Sequence, residues 1–420
     1  MSRRIFNKER EKRAFSLEKV EAAWQNQDMR QLGLPLFLLF ALAGVSAAAS
    51  APVTQVYAYA AKTAKPAKEI VRDAKKAAAG KKKELRDQGV KTVRVKAPGD
   101  WPSRIPAPAN MTLCEVPLPP GEKGKLYESD NYSFRTPCEL SPDGQKMIAQ
   151  IFECTNAANT AIGKVLPVPR TEVPRAEKKY PVELVRNDSA YHAAGGPSGS
   201  AGVFQHAERI PVINGIPQNG GPKTEDMIAQ ERVLVPFTSL GLDEQGRLTA
   251  KGRDINTHTL VHEITHQNFV LNNLPITMNE GWAEYVGYVP YIGTELDFDR
   301  GFSLILHEAK KYAGTGALDF PFSLEDFLTM DQETMYGFMQ QGSNSRNTYL
   351  LSCMVVAYFV HLDGKKGIEA LREYMSKVAN GTPNEEAVRE LIATHRNTKQ
   401  LEKDFLRAWK AKGVKGMSFK

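Results

Sequence analysis

The chain has 420 residues, 42% of them apolar, and a formal net charge of +7. This length and composition predict two or three folded units with sizeable apolar cores. Residues 1–30 carry a charge of +3, residues 31–51 carry none and residues 52–96 carry +9, which leaves −5 for residues 97–420. The acidic balance of the larger part excludes a nucleic-acid-binding function for the whole chain, and no specific nucleic-acid partner is expected.

Residues 1–51 are typical of a targeting segment. An uncharged stretch contains an apolar run from Leu32 to Val45, followed by Ala49-Ser50-Ala51, which matches a signal peptide and its cleavage site. The residues before Met29 are interpreted as a mis-assigned start or as an unusually long first region of that peptide. Export to the periplasm, envelope or exterior is expected. The alternative is an uncleaved membrane anchor, because the uncharged stretch is just long enough to span a bilayer.

Residues 52–110 are predicted to be a basic, Ala/Lys-rich and Pro-rich linker. Tyr57–Lys83 contains good helix formers but almost no apolar stripe, so it cannot bury enough surface to fold alone. Proline and glycine from Pro98 to Pro108 close the region. Residues 1–96 together are a candidate for association with a membrane or another anionic surface.

The chain has four cysteines and no C-x-x-C pair, so a cysteine zinc site or redox motif has little support. Cys353 lies in an apolar run and is predicted to be a buried free thiol. At most one disulfide can then form among Cys114, Cys138 and Cys154, and the sequence does not choose the pair.

Residues 111–250 are predicted to form a small α/β lobe with a mixed sheet. Alternating and amphipathic patterns predict strands at 131–136, 182–185, 203–205, 209–212 and 232–237, and a helix at 143–162. The Gly/Ser-rich stretch 192–202 lacks the lysine and spacing of a phosphate-binding loop. It is predicted to be a flexible surface loop and not a nucleotide site.

Residues 251–420 are predicted to form a mainly helical lobe. A turn-rich stretch leads into a helix that Asp254 or Asn256 can cap, and Pro275 lets the next helix turn back on it. Further helices are predicted at 301–312, 323–329, 345–362, 367–378, 384–394 and 399–410. The predicted fold class is therefore α+β, with the sheet lobe first and the helical lobe second.

The stretch Thr257–Gln267, THTLVHEITHQ, contains the strongest chemical signal. In a helix, His262 and His266 lie on one face because they are four residues apart, and two imidazoles placed that way can bind one metal ion. Glu263 stands beside the first ligand, where a carboxylate can take a proton from water. This is the H-E-x-x-H pattern of zinc hydrolases. His258 is one turn earlier, but three consecutive turns cannot all ligate one tetrahedral ion, so it is not predicted as a ligand.

A second helical segment, Asn279–Tyr285 with sequence NEGWAEY, follows closely. Two histidines and one carboxylate leave the fourth tetrahedral position open, which is the arrangement of catalytic zinc. We predict Glu280 as the third ligand, with Glu284 one turn behind it and able to accept a hydrogen bond from the ring N–H of His262. The alternative makes Glu284 the ligand and leaves Glu280 as a solvated carboxylate.

These two motifs together resemble those of the gluzincin metallopeptidases, the clan of thermolysin and aminopeptidase N. The resemblance covers residues 127–413. It implies a helical zincin lobe, one Zn²⁺ ion, Glu263 as general base, Glu280 as third ligand and Glu284 as an acid beside the ligands. Thirteen residues separate His266 from Glu280, fewer than in those two enzymes. The nearer resemblance is to bacterial peptidase-like proteins with the same short gap.

The resemblance also implies a tyrosine on a later helix that stabilises an oxyanion. Tyr349 fits that role by its position at the start of an apolar helix, and Arg346 is the alternative donor on the same segment. The expected function is zinc-dependent hydrolysis of peptide bonds in peptide or protein substrates. The alternative is a catalytically inactive zincin-fold protein of the cell envelope that uses the fold for binding.

Overall fold

The structure is a computed structural model that describes residues 97–420 except 98, 168–178, 199, 206–211, 214–215, 218–230, 251–256, 270–273, 340–343 and 396. The predicted targeting segment and the basic part of the predicted linker lie outside the described residues. Within the described part of the chain, no helix combines the length and the apolar character needed to cross a membrane.

A six-stranded mixed sheet organises the first lobe. The described strands are β1 Arg104–Pro106, β2 Cys114–Val116, β3 Lys125–Glu128, β4 Tyr132–Thr136, β5 Tyr180–Val185, β6 Val203–Gln205, β7 Val212–Ile213, β8 Ile216–Pro217, β9 Arg232–Pro236, β10 Glu295–Asp297, β11 Asp319–Phe320 and β12 Ser418–Phe419. The strand order in the sheet is β2-β3-β4-β5-β9-β6. The strands β4, β5 and β9 run parallel to one another, and the other pairings in this sheet are antiparallel.

Helices make up most of the second lobe, as the sequence predicts. The described α-helices are α1 Pro142–Gly163, α2 Asp188–Ala193, α3 His258–Asn268, α4 Ile276–Gly287, α5 Phe298–Ala313, α6 Leu324–Thr329, α7 Gln332–Met339, α8 Asn344–Ala357, α9 Gly364–Ala379, α10 Asn384–His395 and α11 Thr398–Ala411. Helix α8 continues into a π turn at Tyr358–Leu362. The predicted α+β class with a mixed sheet is confirmed.

Helix α1 connects β4 to the parallel strand β5 and covers the sheet. It begins where Ser141 accepts a hydrogen bond from the backbone N–H of Gly144, with Pro142 at a position that needs no donor. Its apolar stripe, which includes Ile148 and Phe152, is buried against the sheet. The periodicity of residues 143–162 therefore located this helix to within a residue at each end.

Helix α3 lies between two apolar cores. Leu260 and Ile264 pack into the core of the sheet lobe, whereas Phe269, just past the end of α3, belongs to the core of the helical lobe. Met278 and Trp282 of α4 join the helical core from the next element. Because α3 contacts both lobes, its position is set by the packing of each.

The Pro-rich end of the predicted linker has a defined structure. Trp101 is 4% exposed and its ring stacks on Trp282 at a centroid distance of 6.0 Å. Strand β1 pairs antiparallel with β10, beside the helical lobe. The burial of one large aromatic residue explains why this stretch packs on the helices although its composition favours a linker.

Some predicted features fall on undescribed residues, and others were missed. Most of the predicted strand 209–212 and both predicted caps, Asp254 and Asn256, lie outside the described residues. Helices α2 and α7 were not predicted, because each is short and their apolar spacing is weak. All four cysteines are free, and Cys353 is fully buried, which confirms the prediction for that residue.

Candidate metal centre and its cleft

Three side chains from α3 and α4 converge on one point. The Nε2 atoms of His262 and His266 are 2.9 Å apart. The Oε2 atom of Glu280 lies 3.0 Å from His262 Nε2 and 3.4 Å from His266 Nε2. One turn of α3 separates the two imidazoles, and Pro275 lets α4 fold back so that Glu280 completes the group.

His262, His266 and Glu280 could hold a metal ion, and their donor atoms are of the kinds that zinc accepts. Zinc held by nitrogen and oxygen at about 2.0–2.1 Å with tetrahedral angles keeps its ligand atoms about 3.3 Å apart, close to the observed triangle. His262 and Glu280 are 6% and 5% exposed, and no well-directed hydrogen bond occupies Glu280 Oε2. A buried carboxylate oxygen without a well-directed hydrogen bond is stabilised by a cation beside it.

The charges of the group are mutually stabilised. Burial alone would raise the pKa of Glu280, but the imidazoles of His266 and His262 outweigh it and lower the pKa to about 2. Burial opposes a charged His262, yet the close carboxylates of Glu280 and Glu284 hold the pKa of His262 well above its usual value. Glu280 therefore stays ionised at neutral pH, as a carboxylate ligand must be, whereas a cation bound here would displace the proton of His262.

Glu284 lies behind the three converging atoms and not among them. Its Oε1 atom is 3.1 Å from His262 Nδ1, the ring nitrogen on the side away from Glu280. Its Oε2 atom is 2.8 Å from the Nε2 atom of His258. The structure thus places Glu284 where the sequence predicted an acceptor for the ring N–H of His262, and it places His258 outside the ligand group.

Glu263 shares the cleft with the ligand group and is held by the sheet. Its Oε2 atom accepts a hydrogen bond of 2.9 Å from the backbone N–H of Phe204. Phe204 is the middle residue of β6, the last strand in the sheet order. No motif in the sequence pointed to this contact, because a backbone donor leaves no trace in residue types.

Helix α8 brings Tyr349 to the site because α4 and α8 approach closely at a glycine. A Cβ atom on Gly281 would lie 2.5 Å from the backbone oxygen of Ser352. The ring centroids of Tyr349 and His262 are 5.8 Å apart. Burial, and then the nearby Glu280, raise the pKa of Tyr349, so its hydroxyl keeps its proton. Gly281 of the NEGWAEY segment therefore allows α4 and α8 to pack this closely.

Two other side chains lie differently from expectation. Arg346, the alternative oxyanion donor, is exposed, and its guanidinium lies 5.8 Å from the ring centroid of Tyr312. It is not among the residues that line the cleft. Tyr336 of α7 does line the cleft, and burial, Glu280 and Glu263 raise its pKa to about 12. The sequence did not single out Tyr336, because α7 itself was not predicted.

The cleft has a volume of about 760 Å³. Part of its wall is the Gly/Ser-rich stretch, through Pro197, Ser200 and Gly202. The prediction of a surface loop missed this role. The stretch is tied to α2, since the hydroxyls of Tyr191 and Ser200 are 2.6 Å apart. The rest of the lining includes Phe204, His262, Glu263, His266, Leu274, Pro275, Ile276, Asn279, Glu280, Met330, Asp331, Tyr336, Tyr349, Asn384 and Glu385.

A neutral polar network holds the opposite side of α3. Asn268 accepts a hydrogen bond from Asn159 Nδ2 at 3.0 Å and donates one to the hydroxyl of Tyr132 at 3.0 Å. Gln267 Nε2 donates to the backbone oxygen of Pro181 at 2.7 Å. These bonds join α3 to α1, β4 and β5, so the ligand helix is fixed against the sheet.

Neither a protein-family model nor a curated protein matches the chain. The case for a function therefore rests on the residues of the cleft and their geometry.

Proposed function

We propose that the protein is a zinc-dependent peptidase of the gluzincin type. The observation that carries the proposal is the convergence of His262, His266 and Glu280 in a cleft that also holds Glu263. A site with two imidazoles, one carboxylate and an adjacent second carboxylate suits metal-assisted hydrolysis better than structural metal binding, which usually closes the site with a fourth protein ligand.

His262, His266 and Glu280 are the residues that would hold the zinc ion. When bound there, zinc supplies a Lewis acid that lowers the pKa of water and polarises a carbonyl oxygen. Glu284 keeps the His262 ring in one orientation through Nδ1, so that Nε2 stays directed at the site. The predicted alternative, Glu284 as the ligand, has less support because both of its oxygens are directed at histidine nitrogens outside the ligand triangle.

Glu263 is the proposed base. It takes one proton from the attacking water as the water oxygen bonds to the substrate carbonyl carbon. The same carboxyl group then gives that proton to the departing amine nitrogen as the C–N bond breaks, so protons balance over the reaction. The N–H of Phe204 fixes one carboxylate oxygen of Glu263, and the Glu263 side chain lines the cleft.

Tyr349 is the proposed donor to the oxyanion that forms on the substrate carbonyl. A phenol that keeps its proton can donate to a developing negative charge. Tyr336 lines the same cleft and is a second hydroxyl within it. Arg346 has less support for this role, since its guanidinium lies over Tyr312.

A digest of a peptide library tests the proposal. The wild-type protein should cleave peptides and stop when a zinc chelator is added. Glu263→Gln should keep its zinc and lose about 10²- to 10⁴-fold in rate, because it lacks the base. Glu369→Gln is the matched control: this carboxylate is exposed on α9, lies outside the cleft lining and is 3.7 Å from Lys365, so its loss should leave the rate unchanged.

Two results would count against the proposal. Full activity of Glu263→Gln would remove the base from the mechanism. A wild-type protein that binds zinc but cleaves no peptide would favour the alternative of a zincin-fold binding protein.

A further inference from the structure

His258 and His262 are joined by a single carboxylate. Glu284 lies 2.8 Å from His258 Nε2 through Oε2 and 3.1 Å from His262 Nδ1 through Oε1. The two histidines are one turn apart on α3, and Glu284 reaches both from α4. Each oxygen of Glu284 therefore has its own imidazole, and the carboxylate cannot rotate without losing one of them.

The position of His258 is itself fixed by α4. Its ring contacts Tyr288 edge to face at a centroid distance of 4.5 Å. Gly287 leaves the space that the ring occupies, since a Cβ atom there would lie 2.7 Å from His258 Cε1. Two features of α4, the carboxylate of Glu284 and the missing side chain at 287, and the ring of Tyr288 just past its end thus fit His258.

We propose that His258 is a positioning residue for the zinc ligand His262 and acts through Glu284. The inference rests on the proposed zinc site but not on peptide hydrolysis. With His258 in place, one oxygen of Glu284 is held and the other is presented to His262 Nδ1. Without His258, the Glu284 side chain gains rotational freedom, and His262 loses a fixed partner. Mutation of a residue that contacts a metal ligand, but not the metal itself, typically weakens metal binding by about 10- to 100-fold.

Zinc affinity is the direct readout. The dissociation constant is measured by competition with a chromophoric chelator, on the full-length protein and four variants. We expect His258→Ala to bind zinc about 10-fold more weakly. Gly287→Ala should also bind more weakly, because the added methyl group displaces the ring. His258→Gln, which keeps an N–H donor, should recover part of the loss, and His307→Ala, an exposed histidine on α5, should bind as the wild type does.

A double-mutant cycle with Glu284→Ala separates positioning from general structural damage. If His258 acts through Glu284, then adding His258→Ala to Glu284→Ala causes no further loss of zinc affinity. Unchanged affinity in His258→Ala, or an equal loss in both backgrounds, would overturn the inference. Thermal unfolding of the chelator-treated variants shows whether each one is folded, and His258→Gln serves if His258→Ala is not.

The outcome is distinguishable from failure of the proposed function. A wild-type protein that binds zinc and cleaves no peptide overturns hydrolysis, while the zinc affinities still decide the role of His258.

Discussion

Two buried polar clusters of different chemistry hold helix α3. On the side of α1 and β4, neutral amides and hydroxyls bond to one another, as in the contacts of Asn268 with Asn159 and Tyr132, both at 3.0 Å. On the side of α4, imidazoles meet carboxylates, and His262 Nε2 lies 3.0 Å from Glu280 Oε2. The same helix thus has one neutral and one ionised buried face.

From this difference we expect the neutral cluster to support the fold and the ionised cluster to bind the proposed zinc ion. Neutral groups that bond to each other lower the free energy of the fold without needing a ligand. A buried cluster that keeps carboxylates ionised costs desolvation energy, and such clusters are typical of functional sites. Substitutions on the ionised face should therefore change zinc binding and catalysis, whereas those on the neutral face should change stability.

The largest effect is expected at Glu280, the proposed third ligand. Glu280→Gln removes the carboxylate charge but keeps the shape of the side chain. Mutation of a residue that only contacts a metal ligand weakens metal binding by up to roughly 100-fold, and Glu280→Gln should weaken zinc binding by more than that. Competition with a chelator measures the affinity. Glu369→Gln is again the control, and equal zinc affinity in both variants would contradict the assignment of Glu280.

Tyr349→Phe tests the ionised face without changing a ligand. Loss of one oxyanion donor should lower kcat by about 10²-fold or more, with KM and zinc content unchanged. Tyr336→Phe should have a smaller effect, because the Tyr336 side chain is 36% exposed, whereas Tyr349 is half-buried. Steady-state kinetics on one peptide measure both. A larger loss of kcat in Tyr336→Phe than in Tyr349→Phe would make Tyr336 the main oxyanion donor in place of Tyr349.

Phe204→Pro tests whether the sheet lobe positions Glu263 through the backbone N–H of Phe204. Proline removes the N–H that donates to Glu263, and β6 is the last strand of the sheet, where proline is tolerated. Phe204→Ala removes the ring but keeps the N–H. A charged hydrogen bond is worth about 1.5–3 kcal/mol, so Phe204→Pro should be about 10-fold slower than Phe204→Ala, or more. Equal rates would mean that this hydrogen bond does not position the base.

The smallest effect on function is expected on the neutral face. Asn268→Ala leaves buried partners unsatisfied and should lower the free energy of unfolding of the metal-free protein by about 1–3 kcal/mol. The zinc affinity of the folded fraction should not change. Urea denaturation measures the stability, with Asn380→Ala at an exposed helix end as the control. Loss of zinc affinity without loss of stability would break the distinction between the two faces.

Local patterns predicted much of the fold. The helix predicted at 143–162 is found at Pro142–Gly163, and the strand predicted at 203–205 is found at Val203–Gln205. The helix predicted at 399–410 is found at Thr398–Ala411. Each has a clear period of apolar residues or a clear cap, which are properties of neighbouring residues. Helices α2 and α7 are too short to show an apolar period and were missed, although Asn187 and Asp331 cap them.

The partners of the site residues could not be predicted in the same way. The Phe204 contact with Glu263 uses a backbone N–H, which every residue except proline has. His258 was set aside as a ligand on spacing alone, and its contact with Glu284 depends on how α4 packs against α3. Tyr336 enters the cleft from a helix that no pattern indicated. These contacts join residues far apart in the chain.

The sequence by itself determined which side chains share one face of helix α3. The spacing of His262, Glu263 and His266 places imidazoles on one helical face, because a helix has 3.6 residues per turn wherever it stands. Only the tertiary structure decided which carboxylate joins them. The turn at Pro275 and the close approach at Gly281 bring Glu280 to the imidazoles and direct Glu284 to His258 and His262. Spacing sets geometry within one helix, whereas packing sets it between helices.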